Sequence, residues 1–276
     1  MRREVSEGGL SRRSFLKGAA VGMLGGVATV GFGRQVADDL EVGRVTLKLP
    51  GWPLPAYRVA LLADFHAIDE ARVQRACAAV RLAAETKPDL VVIAGDFTSR
   101  ATPWALELLR RSLEDLPRGV PCVGVLGNHD YASGDPRAVA ETVASAGVRL
   151  LRNEVTEIGP VAVAGVDDML YGYGDWACAA AHSGSVPLLA VVHEPDAVVG
   201  APTNVALQLS GHSHGGQICL PFGYPLRLPP GARRFWRGFH PEATRPLYVT
   251  RGVGTTGLDL RLWCPPEVSI LTLIAK

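Results

Sequence analysis

The chain has 276 residues, of which 47% are hydrophobic and 20% charged, a composition that excludes disordered, collagen-like and coiled-coil architectures. At roughly 100–200 residues per domain, this length accommodates one large domain or two small ones. The 28 basic residues nearly balance the 27 acidic ones, which argues against a protein built around nucleic-acid binding. The five cysteines are scattered without a CxxC pair, which disfavours a disulfide scaffold.

A basic segment followed by an apolar one sets residues 1–37 apart from the rest of the chain. Residues 11–17 (SRRSFLK) precede an uncharged stretch over residues 18–33 that is rich in Gly and Ala. This order is typical of a signal peptide or a membrane anchor. The paired arginines Arg12 and Arg13 closely resemble those of a twin-arginine export signal. The resemblance implies the twin-arginine translocation machinery as a partner and an extracytoplasmic location, in the periplasm or on the outer face of the cytoplasmic membrane.

Residues 38–56, which include a Pro-rich stretch, are predicted to be a linker to a single domain over residues 57–276. Short apolar runs in this domain predict strands over residues 57–63, 90–94, 122–126, 148–151, 155–158, 161–166, 188–192, 205–209, 247–250 and 268–274. Helical spacing predicts helices over residues 71–85, 103–113 and 136–146. Because strands alternate with helices in the first half, we expect an α/β fold with mainly parallel pairing there.

Polar residues follow five of the predicted strands at the point where each strand ends. They form the motifs Asp64-Phe65-His66, Gly95-Asp96, Gly127-Asn128-His129-Asp130, His193-Glu194 and Gly211-His212-Ser213-His214. Because ligands gather at the carboxyl ends of strands in open α/β sheets, the motifs are expected to meet in one crevice. Carboxylates packed together repel one another, so this cluster needs cations. Asp, His and Asn ligands with one shareable carboxylate suit two Mn, Fe or Zn ions.

These motifs in this order (DxH, GD, GNHD, H and GHxH) resemble those of the calcineurin-like metallophosphoesterases over nearly all of residues 57–276. The sequence GGQI over residues 215–218 and the tail over residues 250–256 are similar to an exported or membrane-linked bacterial branch of this superfamily. The resemblance implies a four-layer β-sandwich flanked by helices, with a metal site at the carboxyl ends of the strands. It also implies a metal-dependent phosphoric ester hydrolase.

The resemblance further implies a role for each motif residue. The first metal ion would be held by Asp64, His66 and His214. The second would be held by Asn128, His193 and His212, and Asp96 would bridge the two. A water molecule between the cations would be the nucleophile. His129 would protonate the leaving group as a general acid, and Asp130 would orient His129.

A Pro-rich, basic and aromatic segment over residues 221–240 follows the last motif and is expected to overhang the crevice. One interpretation is a substrate lid, in which arginines bind anionic groups and two aromatic side chains bind an apolar part of the substrate. The residues concerned are Arg227, Arg233, Arg234, Phe235, Trp236 and Arg237. The other interpretation is a packed loop with solvated arginines. Structural roles are expected for the polar residues Asp167, Asp168, His182 and His240.

Together these patterns favour a dinuclear metal-dependent phosphoesterase that cleaves a phosphodiester, with a phospholipid or another envelope phosphodiester as a hypothesis for the substrate. A phosphomonoesterase and a lipid-nucleotide pyrophosphatase are alternatives, although the export signal counts against the second. A non-catalytic metal-binding or interaction scaffold is a further alternative. The complete motif set, which includes His129, disfavours that scaffold.

Overall fold

The computed structural model describes residues 29–276, so the predicted signal motif at residues 11–17 lies outside the described residues. The described chain opens in helix α1, which covers residues 29–38 and crosses the predicted end of the signal segment. Within residues 29–276, no helix combines the length and the apolar character that crossing a membrane requires.

Five further α-helices and fourteen strands follow along the described chain. The helices are α2 (Glu70–Glu85), α3 (Pro103–Ser112), α4 (Asn128–Tyr131), α5 (Pro136–Ser145) and α6 (Ala177–Ala181). The first seven strands are β1 (Glu41–Leu49), β2 (Tyr57–Leu62), β3 (Leu90–Ala94), β4 (Cys122–Val125), β5 (Arg149–Leu150), β6 (Glu154–Ile158) and β7 (Val161–Gly165). The others are β8 (Leu188–Val191), β9 (Val205–Ser210), β10 (Cys219–Leu220), β11 (Tyr224–Pro225), β12 (Gly238–His240), β13 (Leu247–Val249) and β14 (Glu267–Ala275).

Two six-stranded sheets carry the fold. The first has the order β1-β14-β2-β3-β4-β5 and the second β12-β13-β9-β8-β7-β6. Strands β2 to β5 are parallel, as predicted, and so are β7, β8, β9 and β13. Because parallel neighbours point the same way, the residues that follow β2, β3 and β4 emerge at one edge of the first sheet.

The two sheets pack face to face, and helices cover their outer faces. Leu61 and Val92 of the first sheet share a buried cluster with Val163 and Leu209 of the second. Apolar residues of α2, α3 and α5 pack on the outer face of the first sheet, and α6 packs on the outer face of the second. The resulting order of helix, sheet, sheet and helix confirms the four-layer sandwich.

Each long helix begins at a side chain that satisfies a free amide of the first turn. Asp69 accepts from the third residue of α2, and Thr102 and Asp135 do the same for α3 and α5. Pro103 and Pro136 occupy the first turns of their helices, where no amide donor is needed. These local signals explain why the three predicted helices begin where they do.

The predicted linker is wrong over Glu41–Leu49, because this segment forms β1 and pairs in parallel with β14 along its whole length. Buried Leu47 and Leu49 alternate with exposed Thr46 and Lys48. An edge strand with one solvated face shows this period of two rather than a continuous apolar run. A prediction based on continuous apolar runs therefore does not detect β1.

Candidate metal centre

The five polar motifs meet at the carboxyl ends of β2, β3, β4, β8 and β9, where the sequence predicted them to meet. Six of the predicted ligand side chains are at most 5% exposed, namely Asp64, His66, Asp96, His193, His212 and His214. Asn128 is half-buried. A cluster of ionisable groups this deeply buried needs partners of opposite charge.

Two groups of these side chains could each surround one cation. In the first group, the ligand atoms of Asp64, His66, Asp96 and His214 all lie within 4.8 Å of one another. In the second, those of Asp96, His193 and His212 meet the same limit. The Oδ1 atom of Asn128 adds a further donor, 3.2 Å from Nε2 of His193. Asp96 belongs to both groups, so one carboxylate joins two adjoining candidate sites.

Five of the clustered residues have a left-handed backbone, which side chains other than glycine adopt at a cost. The φ angles are 60° for Asp64, 47° for His66, 56° for Asp96, 68° for His212 and 50° for His214. Hydrogen bonds between loops hold these conformations, as when the His66 amide donates to the carbonyl of Asp96 at 3.1 Å. Strain of about 1–3 kcal/mol per residue is characteristic of functional sites. The backbone here is therefore shaped to aim side chains inward.

The outer hydrogen bonds of His193 and His212 turn the inner nitrogen atoms of the two rings toward each other. The Nδ1 atom of His193 lies 2.6 Å from the carbonyl of Ala94, and Nε2 of His212 lies 2.7 Å from the carbonyl of Pro230. A carbonyl accepts only, so the proton of each neutral ring sits on that outer nitrogen. When both rings are neutral, the inner nitrogen atoms carry lone pairs and lie 3.1 Å apart, Nε2 of His193 opposite Nδ1 of His212. This donor set fits a bound metal ion.

The electrostatic surroundings favour neutral rings at His66 and His212 and a positive charge at His193. Burial is the main cause that lowers the pKa of His66 to about 3 and that of His212 to about 4. Both rings are therefore neutral, which is the form that binds metals. For His193, burial also lowers the pKa, but Asp96 and nearby carboxylates together outweigh it and hold the pKa well above its usual value. The position beside Asp96 thus attracts positive charge.

Glycines permit the close approach of the strand-end loops. A β-carbon at Gly127 would collide with the side chain and the amide of Asp96. At Gly95, where φ is 89°, it would lie 2.6 Å from Nδ1 of His193. Both positions therefore require glycine if Asp96 and His193 are to keep their places.

His129 lies at the edge of the cluster, as expected for a group that faces substrate. Its ring meets the ring of His66 edge to face, with centroids 4.8 Å apart, and its side chain is half-buried. Its amide donates to Oδ1 of Asp96 at 2.8 Å. The carboxylate that joins the two sites therefore also positions the backbone of His129.

The prediction that Asp130 orients the His129 imidazole is not supported by the geometry. The Asp130 carboxylate is fully buried and accepts from three backbone amides, those of Gly127 (2.9 Å), Thr98 (3.0 Å) and Phe97 (3.2 Å). These contacts cap the short helix α4 and tie it to the loop after Asp96. Asp130 thus shapes the loops that carry other residues of the site, and it does so through the backbone.

A cavity of about 320 Å³ opens over the cluster. Asp96, Asn128, His129, His212 and His214 line its floor. Gln217, Arg227, Pro229 and Thr256 line its side. Within residues 29–276, Arg227 is the one arginine that lines this cavity, whose floor holds the candidate metal ligands, and this arrangement suits a small anionic group.

Four residues predicted to bind substrate do not line this cavity. The amides of Arg233 and Arg234 donate to the carboxylate of Asp196 at 2.8 and 3.0 Å, and both side chains are exposed. The carbonyl of Trp236 accepts from Ser213, and Arg237 reaches the carbonyl of Phe222. Asp196 holds the backbone at Arg233 and Arg234, and the role of Arg233, Arg234, Trp236 and Arg237 in binding substrate stays a prediction. The packed-loop alternative fits this segment, and Arg227 alone of its arginines reaches the cavity.

Sequence reasoning missed two residues that hold the ligands from behind. The Ser99 hydroxyl lies 2.8 Å from Nδ1 of His66. The fully buried Arg261 places Nη2 at 3.5 Å from Nδ1 of His214 and donates to the carbonyl of His214 at 3.2 Å. Ser99 follows Asp96 by three residues, which is a usable signal. No local pattern marks Arg261, because its contacts come from distant parts of the chain.

The residues predicted to be structural lie outside the ligand cluster. One oxygen of Asp168 accepts from the amides of residues 170–172. Burial, together with the neighbouring carboxylate of Asp168, raises the pKa of Glu194 to about 8. Asp167 accepts from Tyr131 and Arg152. His240 bonds to Glu242, and His182 ends α6.

Comparison with known proteins agrees with this geometry. The chain is 30% identical over 285 residues to the uncharacterized metallophosphoesterase YkuE of Bacillus subtilis, covering 96% of this chain and 98% of that protein. It is 31% identical over 277 residues to the phosphodiesterase YaeI of Escherichia coli, covering 96% of this chain and all of that protein. A solved structure, the sulfate thiohydrolase SoxB of Thermus thermophilus, aligns at 14% identity with a TM-score of 0.45 over 80% of this chain and 58% of that one.

The profile of the calcineurin-like phosphoesterase family matches residues 57–216, which contain all five motifs. The match covers more than half of the chain, and the relatives from two bacteria extend it over nearly the whole length. The chain therefore belongs to the calcineurin-like phosphoesterase family.

Proposed function

We propose that this protein is a dinuclear metal-dependent phosphodiesterase. The observation that carries the proposal is the position of Asp96, whose carboxylate belongs to both groups of buried ligands. A carboxylate shared by two sites is what a pair of metal ions roughly 3.5–4 Å apart requires. Among the relatives, the Escherichia coli protein bears the name phosphodiesterase, which supports a diester over a monoester.

The proposed ligand set follows the two groups. Asp64, His66 and His214 would hold one ion, Asn128, His193 and His212 would hold the other, and Asp96 would contact both. The donors are nitrogen and oxygen atoms with no thiolate among them, which suits Mn, Fe or Zn. Bound metal ions supply Lewis acidity and lower the pKa of water to near neutrality.

His129 performs the proton transfer in this proposal. Its half-buried ring borders the cavity beside Asp96, so an imidazolium there can donate a proton to the departing oxygen of the ester. Alkoxide leaving groups need this proton, because they are too basic to depart as anions. Arg227, on the side of the cavity, offsets the negative charge of the phosphoryl group.

We also propose an exported protein that works outside the cytoplasm on a phospholipid or another envelope phosphodiester. The support is the sequence of residues 11–33, whose paired arginines and apolar stretch resemble a twin-arginine signal. The translocation machinery that reads such signals is then a partner. The same segment, if retained, is a membrane anchor.

The test is hydrolysis of bis-p-nitrophenyl phosphate by the full chain, first stripped of metal and then supplied with Mn, Zn or Fe. We expect activity to return with metal and to stay absent in Asp96→Asn. Asp115→Asn, which changes an exposed carboxylate far from the site, is the matched control and should retain activity. Comparison with p-nitrophenyl phosphate separates diesterase from monoesterase activity. Bound metal without turnover of either ester would instead favour the non-catalytic scaffold.

A further inference from the structure

Large exposed hydrophobic side chains are concentrated on one side of the cavity. Within residues 29–276, eight of the thirteen such side chains belong to this surface, which we call the rim surface. Its members are Val30, Phe32, Leu220, Phe222, Tyr224, Leu226, Leu258 and Trp263. Apolar patches of this kind, beside a binding cavity, mark contact sites for a partner or a membrane.

Three separate segments form the rim surface, and hydrogen bonds join them. The amide of Arg261 donates to the carbonyl of Gly33, and the amide of Cys219 donates to the carbonyl of Leu262, each at 2.9 Å. The rings of Phe32 and Trp263 also meet, with centroids 6.0 Å apart. Residues 29–33, 217–226 and 256–263 are thus one continuous surface.

The rim surface borders the mouth of the cavity. Gln217 and Thr256 line the cavity and belong to two of the three segments. The side chain of Gln217 donates to the carbonyl of Thr256 at 3.0 Å, which joins these segments at the mouth. Whatever contacts the rim surface is therefore held next to the catalytic cavity.

The backbone holds the most exposed of these side chains outward. Phe222 is 92% exposed at the turn between β10 and β11, and its φ is 71°. A bulky residue in this left-handed region is a genuine outlier. Leu258, on the neighbouring segment, is 71% exposed. Neither residue packs against the core, so their apolar character has no role in the fold of the described chain.

The charge on residues 217–238, beside the rim surface, has one sign, whereas Asp259 of the third segment pairs with Arg75. Residues 217–238 contain Arg227, Arg233, Arg234 and Arg237 and no acidic residue. Within residues 29–276, none of these four guanidinium groups forms an ion pair with a carboxylate. Apolar side chains flanked by unpaired arginines are complementary to a lipid surface with anionic headgroups.

We propose that the rim surface docks onto a bilayer that carries anionic headgroups, with the mouth of the cavity facing the lipid. Residues 29–33, which end the uncharged apolar stretch of residues 18–33, belong to this surface through the contact of Phe32 with Trp263, and this supports a membrane on the same side. Docking itself does not require catalysis. The consequence that the substrate is the phosphodiester of a lipid headgroup rests on the proposed function.

The test measures hydrogen–deuterium exchange of the full chain by mass spectrometry, with and without vesicles. The vesicles contain phosphatidylcholine alone or with phosphatidylglycerol. We expect amides in residues 219–227 and 256–263 to exchange at least about fivefold more slowly with the anionic vesicles. The double variant Phe222→Ser, Leu258→Ser should lose this protection. Trp104→Ser, which removes a 59% exposed side chain from α3, should keep it.

The pattern across segments distinguishes the rim surface from binding through residues 18–33, since only the rim amides report its contact. Unchanged exchange in residues 219–227 and 256–263 overturns the proposal, as does protection that persists in the double variant. Protection that grows with protein concentration in the absence of vesicles assigns the surface to a second copy and also overturns it. Hydrolysis of bis-p-nitrophenyl phosphate should stay within about twofold in the double variant, so failure to dock is separable from failure of the catalytic proposal.

Discussion

The floor of the cavity and the rim surface differ in polarity and in exposure to solvent. The floor is polar, buried and strained, and its ligand side chains are oriented by fixed hydrogen bonds, as in His193 on the carbonyl of Ala94. The rim is apolar and exposed, and side chains such as Phe222 contact little of the protein. A floor of this kind is preorganised for small ions, whereas the rim suits a large and fluid partner. In our proposals, catalysis and docking onto a membrane therefore depend on separate sets of residues.

The largest effect is expected from a substitution that removes one imidazole from the floor of the cavity. In His193→Ala, the metal content should fall from about two ions to about one, because Nε2 of His193 is central to the second group. Loss of the electrostatic effect of one ion, several kcal/mol, should lower kcat on the order of 10³-fold. Elemental analysis and steady-state kinetics measure both. His182→Ala is the control, and an equal loss there would remove the distinction.

The next largest effect should come from His129, and it should depend on the leaving group. In His129→Ala, turnover of alkyl phosphodiesters should fall about 10²–10³-fold, because no proton reaches the alkoxide. Turnover of p-nitrophenyl esters should fall far less, since p-nitrophenolate departs without a proton. The metal content should be unchanged. Equal losses on both ester classes would contradict the general-acid role.

Support behind the floor can be tested at Ser99. Its hydroxyl fixes the His66 ring at Nδ1, so Ser99→Ala should weaken binding of one metal ion about 10- to 100-fold. Titration with a competing chelator measures this affinity. Ser145→Ala, at the exposed end of α5, is the matched control. If both variants bind metal like the wild type, the hydrogen bond to His66 has no part in holding the ion.

The buried pair of Glu194 and Asp168 predicts a dependence of stability on pH. Because the pKa of Glu194 is about 8 when folded and near 4.5 when exposed, the folded state holds the proton more tightly. The contribution of Glu194 to the free energy of unfolding is fully present below about pH 4.5 and is lost as the pH rises through about 8. In Glu194→Gln, the change in the free energy of unfolding between pH 5 and pH 8 should shrink by about 3 kcal/mol. Thermal unfolding at both pH values measures it, and identical pH profiles would contradict it.

The smallest effect should separate two arginines of the rim region. Arg227→Ala should raise KM for bis-p-nitrophenyl phosphate about fivefold, because Arg227 lines the cavity. Arg234→Ala should change KM less than twofold, because Arg234 is exposed and does not line the cavity. Equal effects on KM would indicate that the segment over residues 221–240 closes over the substrate.

The sequence predicted the floor well because strand ends fix it. A buried strand such as Leu90–Ala94 is recognisable as an apolar run, and in a parallel sheet the next polar residue, Asp96, has only one edge to occupy. The segment over residues 221–240 was predicted to overhang the crevice because it follows the last motif, but only Arg227 of its arginines lines the cavity. The contact that holds the backbone at Arg233 and Arg234 comes from Asp196, which is distant in the chain. Pairings between remote residues leave no local pattern.

The same principle applies to Asp130. Its position next to His129 suggested a contact between the two side chains, but the carboxylate of a residue on a short helix can turn toward free amides instead. Adjacency in sequence fixes the backbone distance and leaves the direction of the side chain open. Asp64 and His66 both have a left-handed backbone. Their place in the site was predictable because the family resemblance covered both residues of the motif.

The pairing of strand β1 with β14 limits when the first sheet can form during synthesis of the chain. Its neighbour in the sheet is β14, the last strand of the described chain, which also separates β1 from β2. Until Glu267–Ala275 emerges from the ribosome, β2 has an open edge and β1 has no strand to pair with. The sheet therefore closes only after this segment has emerged, and until then the open edge can pair with other chains. A shortened chain that began at residue 57, where the family match begins, would carry the open edge permanently on β14.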